Sequence, residues 1–139
     1  SYNETTNSAE EFKISESDTL LRYSLIGLMA EKFRALLQQE VRNRSRRQDI
    51  YDLYYLLTNA HVNFDDIKLH LLKAFIESAA SKQLNVHINS MLDEKIIERT
   101  RREYELLATE VAPGTLPEFS TAYRFVTDFY MSLPWQDIQ

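Results

Sequence analysis

The chain has 139 residues, 44% hydrophobic and 27% charged, with a formal net charge of −5. That suits one domain able to bury a core without disulfide or metal staples. Two glycines, three prolines and no cysteine exclude Gly-rich phosphate loops, turn-dense sandwiches and barrels, thiolate metal sites and thiol nucleophiles. The acidic balance gives no global footprint for nucleic acid. The longest apolar stretch, Leu25 to Ala30, is far short of a membrane span, and the polar, acidic start is unlike a signal peptide. Together these features predict a soluble, cytoplasmic, mostly helical domain.

Residues 1–18 set Glu4, Glu10, Glu11, Glu16 and Asp18 against Lys13 among Ser, Thr and Asn. They read as a flexible acidic lead-in with an extended piece near Phe12 to Ile14. Leu20 to Tyr23 reads as a short strand without partners. Ser24 stands where an N-cap belongs, ahead of a helix to about Val41. Its Leu25, Leu28, Met29, Phe33, Leu36 and Leu37 share one face, with Glu31, Arg34 and Gln38 opposite. A connection with four arginines, Arg42 to Arg47, leads to a second helix from Gln48 or Asp49 to Thr58. A loop at Asn59 to Asn63 precedes a third helix, opened by Asp65 and Asp66 at the positive end of its dipole and fading near Ser81. In Lys82 to Asn89, the alternation of Leu84, Val86 and Ile88 leaves strand and helical connector both open. A fourth helix runs from Ser90 or Met91 to Glu110, and a fifth from Pro117 to Leu133; Pro113-Gly114 and Pro134 stop them. The expected fold is all-α, about five helices in a bundle-like array with at most one short N-terminal strand. It occupies residues 19–134, with 135–139 as a tail.

Few residues offer chemistry. His61, His70 and His87 are scattered without the spacing that places two ligands on one helical face, so surface or capping roles outweigh metal binding. Lys32 falls beside Leu25, Leu28 and Leu36 on the helical wheel, so it either snorkels along its stem or pairs with an anion. Asp49 projects between Leu53 and Leu56, with Asp52 at the flank. Both suit a helix start, where carboxylates oppose the dipole, and Asp52 also suits a partner among the arginines. The basic run is either a solvated loop or a phosphate-binding lip, and Tyr51, Tyr54 and Tyr55 beside it either pack or stack a base. Were the first two helices antiparallel, with the first reaching Val41, Lys32 would lie about eight residues, roughly 12 Å, from the level of Asp49. That is too far for a direct ion pair without bending.

The run Tyr23-Ser24-Leu25-Ile26-Gly27-Leu28-Met29-Ala30-Glu31-Lys32-Phe33-Arg34-Ala35-Leu36-Leu37-Gln38-Gln39, then Arg47-Gln48-Asp49-Ile50-Tyr51-Asp52-Leu53-Tyr54-Tyr55-Leu56-Leu57, resembles the AbiEii/AbiGii toxin family of nucleotidyltransferases. The Ala-Glu-Lys start, the Ala-Leu pair and the Asp-x-x-Asp-Leu helix after a basic loop carry the likeness; Gln48 departs from the family's usual basic residue. The resemblance implies a prokaryotic toxin of a toxin–antitoxin, abortive-infection system, neutralised by a cognate antitoxin. It also implies transfer of nucleotides from a nucleoside triphosphate with Mg2+, tRNA being the acceptor in characterised members. By the same resemblance Lys32 contacts the triphosphate, Asp49 supports it or handles protons, and Asp52 is the motif's next acid. Arg44, Arg46 and Arg47 are the expected phosphate contacts.

Polymerase-β-like nucleotidyltransferases also carry Gly-Ser followed by Asp-x-Asp, which hold phosphates and magnesium. Neither glycine here precedes a serine, and no Asp-x-Asp occurs. Without those carboxylates two-metal phosphoryl chemistry has no seat. The expectation is a helical, substrate-binding C-terminal half, inactive alone and binding neither Mg2+ nor nucleoside triphosphate by itself. Its partners would be the missing N-terminal catalytic half, an antitoxin and an RNA acceptor, with no membrane. The alternative from another class is a non-catalytic helical protein-interaction module working through the aromatic fifth helix.

Overall fold

A computed structural model describes the backbone at residues 2–38 and 48–138, with side chains from Glu16 onward within those spans. Five helices form it: α1 (Tyr2–Leu37), α2 (Asp49–Asn59), α3 (Lys68–Ser81), α4 (Glu94–Ala108) and α5 (Phe119–Met131). Short 3-10 turns at Phe64–Asp66, Ser90–Leu92 and Trp135–Ile138 complete it. No strand occurs among the described residues, so the fold is all-α.

The largest difference from the sequence reading lies in α1, which is 36 residues long, about 54 Å at the helical rise. The strand expected at Leu20 to Tyr23 and the extended piece at Phe12 to Ile14 are both helix. A lone strand would leave its backbone donors and acceptors without a sheet, whereas a helix satisfies them within itself. No described side chain from Glu16 to Ser24 is buried, and burial begins at Leu25. Ser24 thus marks where packing starts rather than where the helix starts. Amphipathic periodicity reports the packed part of a helix only.

Packing follows from α1's second half. Arg22 lies beside Asp66 at the entry to α3, and Glu31 meets Ser78 near α3's end, so α1 and α3 run parallel. On α1's other flank sits α2, which packs in turn against α5, where Tyr54 meets Phe125 edge-on at 5.4 Å between ring centroids. The centre is aromatic. Phe33 meets Phe75 and Tyr130, and Trp135 meets the same two rings, with Phe75 also against Tyr130, at 5.1 to 6.4 Å between centroids in edge-on and tilted pairs, a geometry that suits ring quadrupoles. Trp135, placed in a tail by the sequence, is buried and donates its indole N–H to the Tyr130 carbonyl at 2.9 Å.

Residues 84–89 are neither helix nor paired strand, yet their alternation is real: Leu84, Val86 and Ile88 are half-buried while Asn85, His87 and Asn89 are exposed. Two tyrosines of α5 take the place of a sheet. Tyr130 donates its hydroxyl to the His87 carbonyl at 2.7 Å, and Tyr123 to the Met91 carbonyl at 2.5 Å. Burial pushes both phenols well above the ordinary tyrosine range. After α4 the chain turns at Pro113-Gly114. Gly114 has φ 81°, a left-handed conformation that side chains rarely adopt.

Candidate functional site: a lysine clasped by two aspartates

Near the end of α1, Lys32 points across to the first turn of α2. Its Nζ donates to Asp52 Oδ2 at 2.7 Å and lies 3.6 Å from Asp49 Oδ1. The helices therefore form the direct contact that the sequence geometry ruled out. The physical reason is the earlier end of α1, at Leu37 rather than Val41. The first turn of α2 stands level with Lys32, and the four-carbon stem covers the remaining gap. Asp49 and Asp52 are three residues apart, hence neighbours on one helical face. Both sit in α2's first turn, where the helix dipole favours carboxylates. Gln48 supplies no side-chain cap there.

The two acids are not equivalent. Asp49's side chain keeps 11% of its surface exposed and Asp52's 36%, against 28% for Lys32. Burial works against the Lys32 charge, but the hydrogen bond and charge of Asp52, joined by Asp49, outweigh it and hold the ammonium above the usual lysine pKa. Lys32 is thus a paired cation at the helix interface. Simple snorkelling is the reading that gives way.

A second polar group secures the same end of α1. Arg34 and Gln38, expected on an outer face, are buried. Here α1 is flanked by α2, α3 and α4 at once, so more than one stripe is covered. Arg34 donates to Gln38 and, at 2.6 Å, to Glu31, whose other oxygen accepts from Ser78 of α3 at 2.9 Å. These bonds, Arg34's first, pull the Glu31 carboxyl below its ordinary pKa. From α4, Arg99 donates to the Leu36 carbonyl at 2.9 Å, satisfying an acceptor that a helix end leaves open. Sequence reasoning passed over this network. The Glu31, Arg34, Gln38 spacing was its available signal, since residues three and four apart adjoin on a helix.

Arg44, Arg46 and Arg47 lie outside the described residues. Of the three tyrosines, Tyr51 and Tyr54 pack against the core and only Tyr55 is exposed, its ring 6.3 Å from that of Tyr51. The aromatic face of α5 is turned mostly inward: Tyr123 and Tyr130 are buried and Phe129 half-buried, while Phe125 is exposed. His61, His70 and His87 are all exposed. Among the described residues no group of three or more His, Asp or Glu side chains is arranged to hold a metal ion, and no helix is long and apolar enough to cross a membrane.

Neither a curated protein nor a solved structure matches the chain. One family does: "Nucleotidyl transferase AbiEii toxin, Type IV TA system" matches residues 3–125, a span that contains Lys32, Asp49, Asp52 and most of the fold around them. The chain belongs to the AbiEii nucleotidyltransferase toxin family.

Proposed function

We propose that this chain is the helical, nucleotide-holding half of a toxin nucleotidyltransferase, with Lys32 presented to the triphosphate of a nucleoside triphosphate. One observation carries the reading: both acids of the Asp-x-x-Asp-Leu helix converge on Lys32, the lysine of the Ala-Glu-Lys motif. An ammonium has three N–H donors, so two carboxylates leave capacity for a phosphate oxygen. Asp49 and Asp52 act as positioning residues that fix where the charge stands. Arg44, Arg46 and Arg47, in the connection between the same two helices, add guanidinium forks that match phosphate oxygens. The nucleoside triphosphate, when bound, supplies the activated phosphorus, and an RNA of the tRNA class is the acceptor.

Magnesium does not fit the donor set of the described residues. Two carboxylates already turned to an ammonium are not a hard-cation cage, and such ions ask for several oxygen ligands. The reading therefore assigns metal binding to a Gly-Ser/Asp-x-Asp half elsewhere in the full-length protein. To this chain it assigns phosphate holding and orientation. The family also implies an antitoxin that restrains the toxin in the cytoplasm of a prokaryotic host.

The test is Lys32→Met in the full-length toxin. Growth arrest should be lost while the protein stays folded, and Lys32→Arg should restore it only in part, because a planar fork replaces a compact point charge. The isolated chain with magnesium should not transfer labelled nucleotide from any nucleoside triphosphate to bulk tRNA. A Lys32→Met toxin that still arrests growth at equal expression overturns the reading.

A further inference from the structure

The asymmetry between the two aspartates gives them different jobs. We infer that Asp52 is a displaceable counter-ion that occupies Lys32 until a phosphate oxygen takes its place, while Asp49 is the fixed anchor that keeps the ammonium aimed. The inference rests on the phosphate reading of Lys32 and says how that site is controlled.

Three features support it. Asp52 makes the short contact, 2.7 Å, and so holds the N–H that an incoming oxygen must win. It is also the more exposed acid, 36% against 11% for Asp49. A carboxylate released into water regains hydration, whereas one released in a largely buried setting loses its counter-charge and gains little. Finally, two carboxylates around one ammonium leave the cluster with a net negative charge. A polyanion approaching Lys32 meets repulsion that falls away only as the nearer carboxylate swings out. The exchange is balanced, since one N–H···O⁻ bond is broken and one formed, with no proton transferred.

The same geometry separates the two acids experimentally. Asp52→Asn removes one charge and weakens the acceptor without touching Asp49, leaving Lys32 more available. Asp49→Asn removes the anchor and lets the ammonium follow Asp52 outward.

Tripolyphosphate binding to the full-length toxin and its variants, followed by isothermal titration calorimetry at low salt without magnesium, tests this. Asp52→Asn should bind roughly 3- to 10-fold more tightly than the unmodified toxin, the range expected for removing one partly screened charge contact. Asp49→Asn should bind more weakly than the unmodified toxin, and Lys32→Met weakest of all. Circular dichroism melts check that each variant is folded, and Asp52→Ala repeats the charge loss with a better helix former. If Lys32→Met binds as well as the unmodified toxin, the phosphate reading of Lys32 fails. If Lys32→Met loses binding but neither Asp52 variant gains it, or Asp49→Asn gains as much, the counter-ion inference alone is overturned.

Discussion

Lys32 and Phe33 are consecutive residues of α1, about 100° apart around the helix, and they secure it in opposite ways. Phe33 is fully buried, with its ring 6.0 Å from Phe75 of α3 and 5.5 Å from Tyr130 of α5. Lys32 is partly open to water and held by two charges of α2. The aromatic side depends on area removed from water and on close packing, and it tolerates almost no vacancy. The charged side depends on a contact that solvent and other anions contest. A binding function can live on the second side, because an ion pair can be exchanged and a packed ring cannot.

The largest loss of stability is expected at Phe33. Phe33→Ala leaves a cavity beneath Phe75, Phe129 and Tyr130 and should cost about 3–5 kcal/mol. The check is a chemical-denaturation midpoint, and a loss under 1 kcal/mol would mean that the centre collapses to fill the void. Tyr130→Phe keeps the ring but removes the donor to the His87 carbonyl, so it should cost about 1–2 kcal/mol. Amide exchange should then quicken in residues 84–91 before it quickens in α1.

On the charged side, Lys32→Met should destabilise by about 1 kcal/mol, because it leaves two neighbouring carboxylates without their shared cation. A lysine that merely snorkelled would instead make the change neutral or stabilising. The sign of its pH dependence follows from the raised pKa. The Lys32 contribution is complete below the ordinary lysine value of 10.5 and is lost as pH rises through the higher folded value. The stability gap between the unmodified chain and Lys32→Met should therefore stay level from neutral pH to about pH 10 and narrow above it. A gap already closing at pH 8 would mean that the pair does not hold the ammonium in its charged form.

Much of the fold was legible because it depends on period and punctuation. Pro113-Gly114, Pro117 and Pro134 bracket α5 closely, and the apolar rows of Ile50, Leu53 and Leu71, Leu72, Phe75 mark the buried faces of α2 and α3. The helix ahead of Ser24 was illegible because none of its described side chains, from Glu16 to Ser24, is buried to give a stripe. Leu28 went wrong for a related reason: it lies on the apolar wheel face yet is 44% exposed, because which neighbour covers which flank is a tertiary fact. At the candidate site, sequence named Lys32, Asp49 and Asp52 but put them too far apart. Their meeting depends on where α1 ends, and helix ends are poorly marked when no glycine or proline stops them. Arg99's reach to the Leu36 carbonyl joins elements 63 positions apart, and no local pattern announces it.

The Lys32–Asp52 bond also closes a ring of chain, joining residues 20 positions apart around the arginine-bearing connection. Loop-closure entropy grows only logarithmically, so doubling a connection of this kind costs about 0.6 kcal/mol. The helices and their ion pair fix the geometry, and the connection only has to be long enough to return. Its length can therefore change almost without thermodynamic cost while Lys32, Asp49 and Asp52 stay in register.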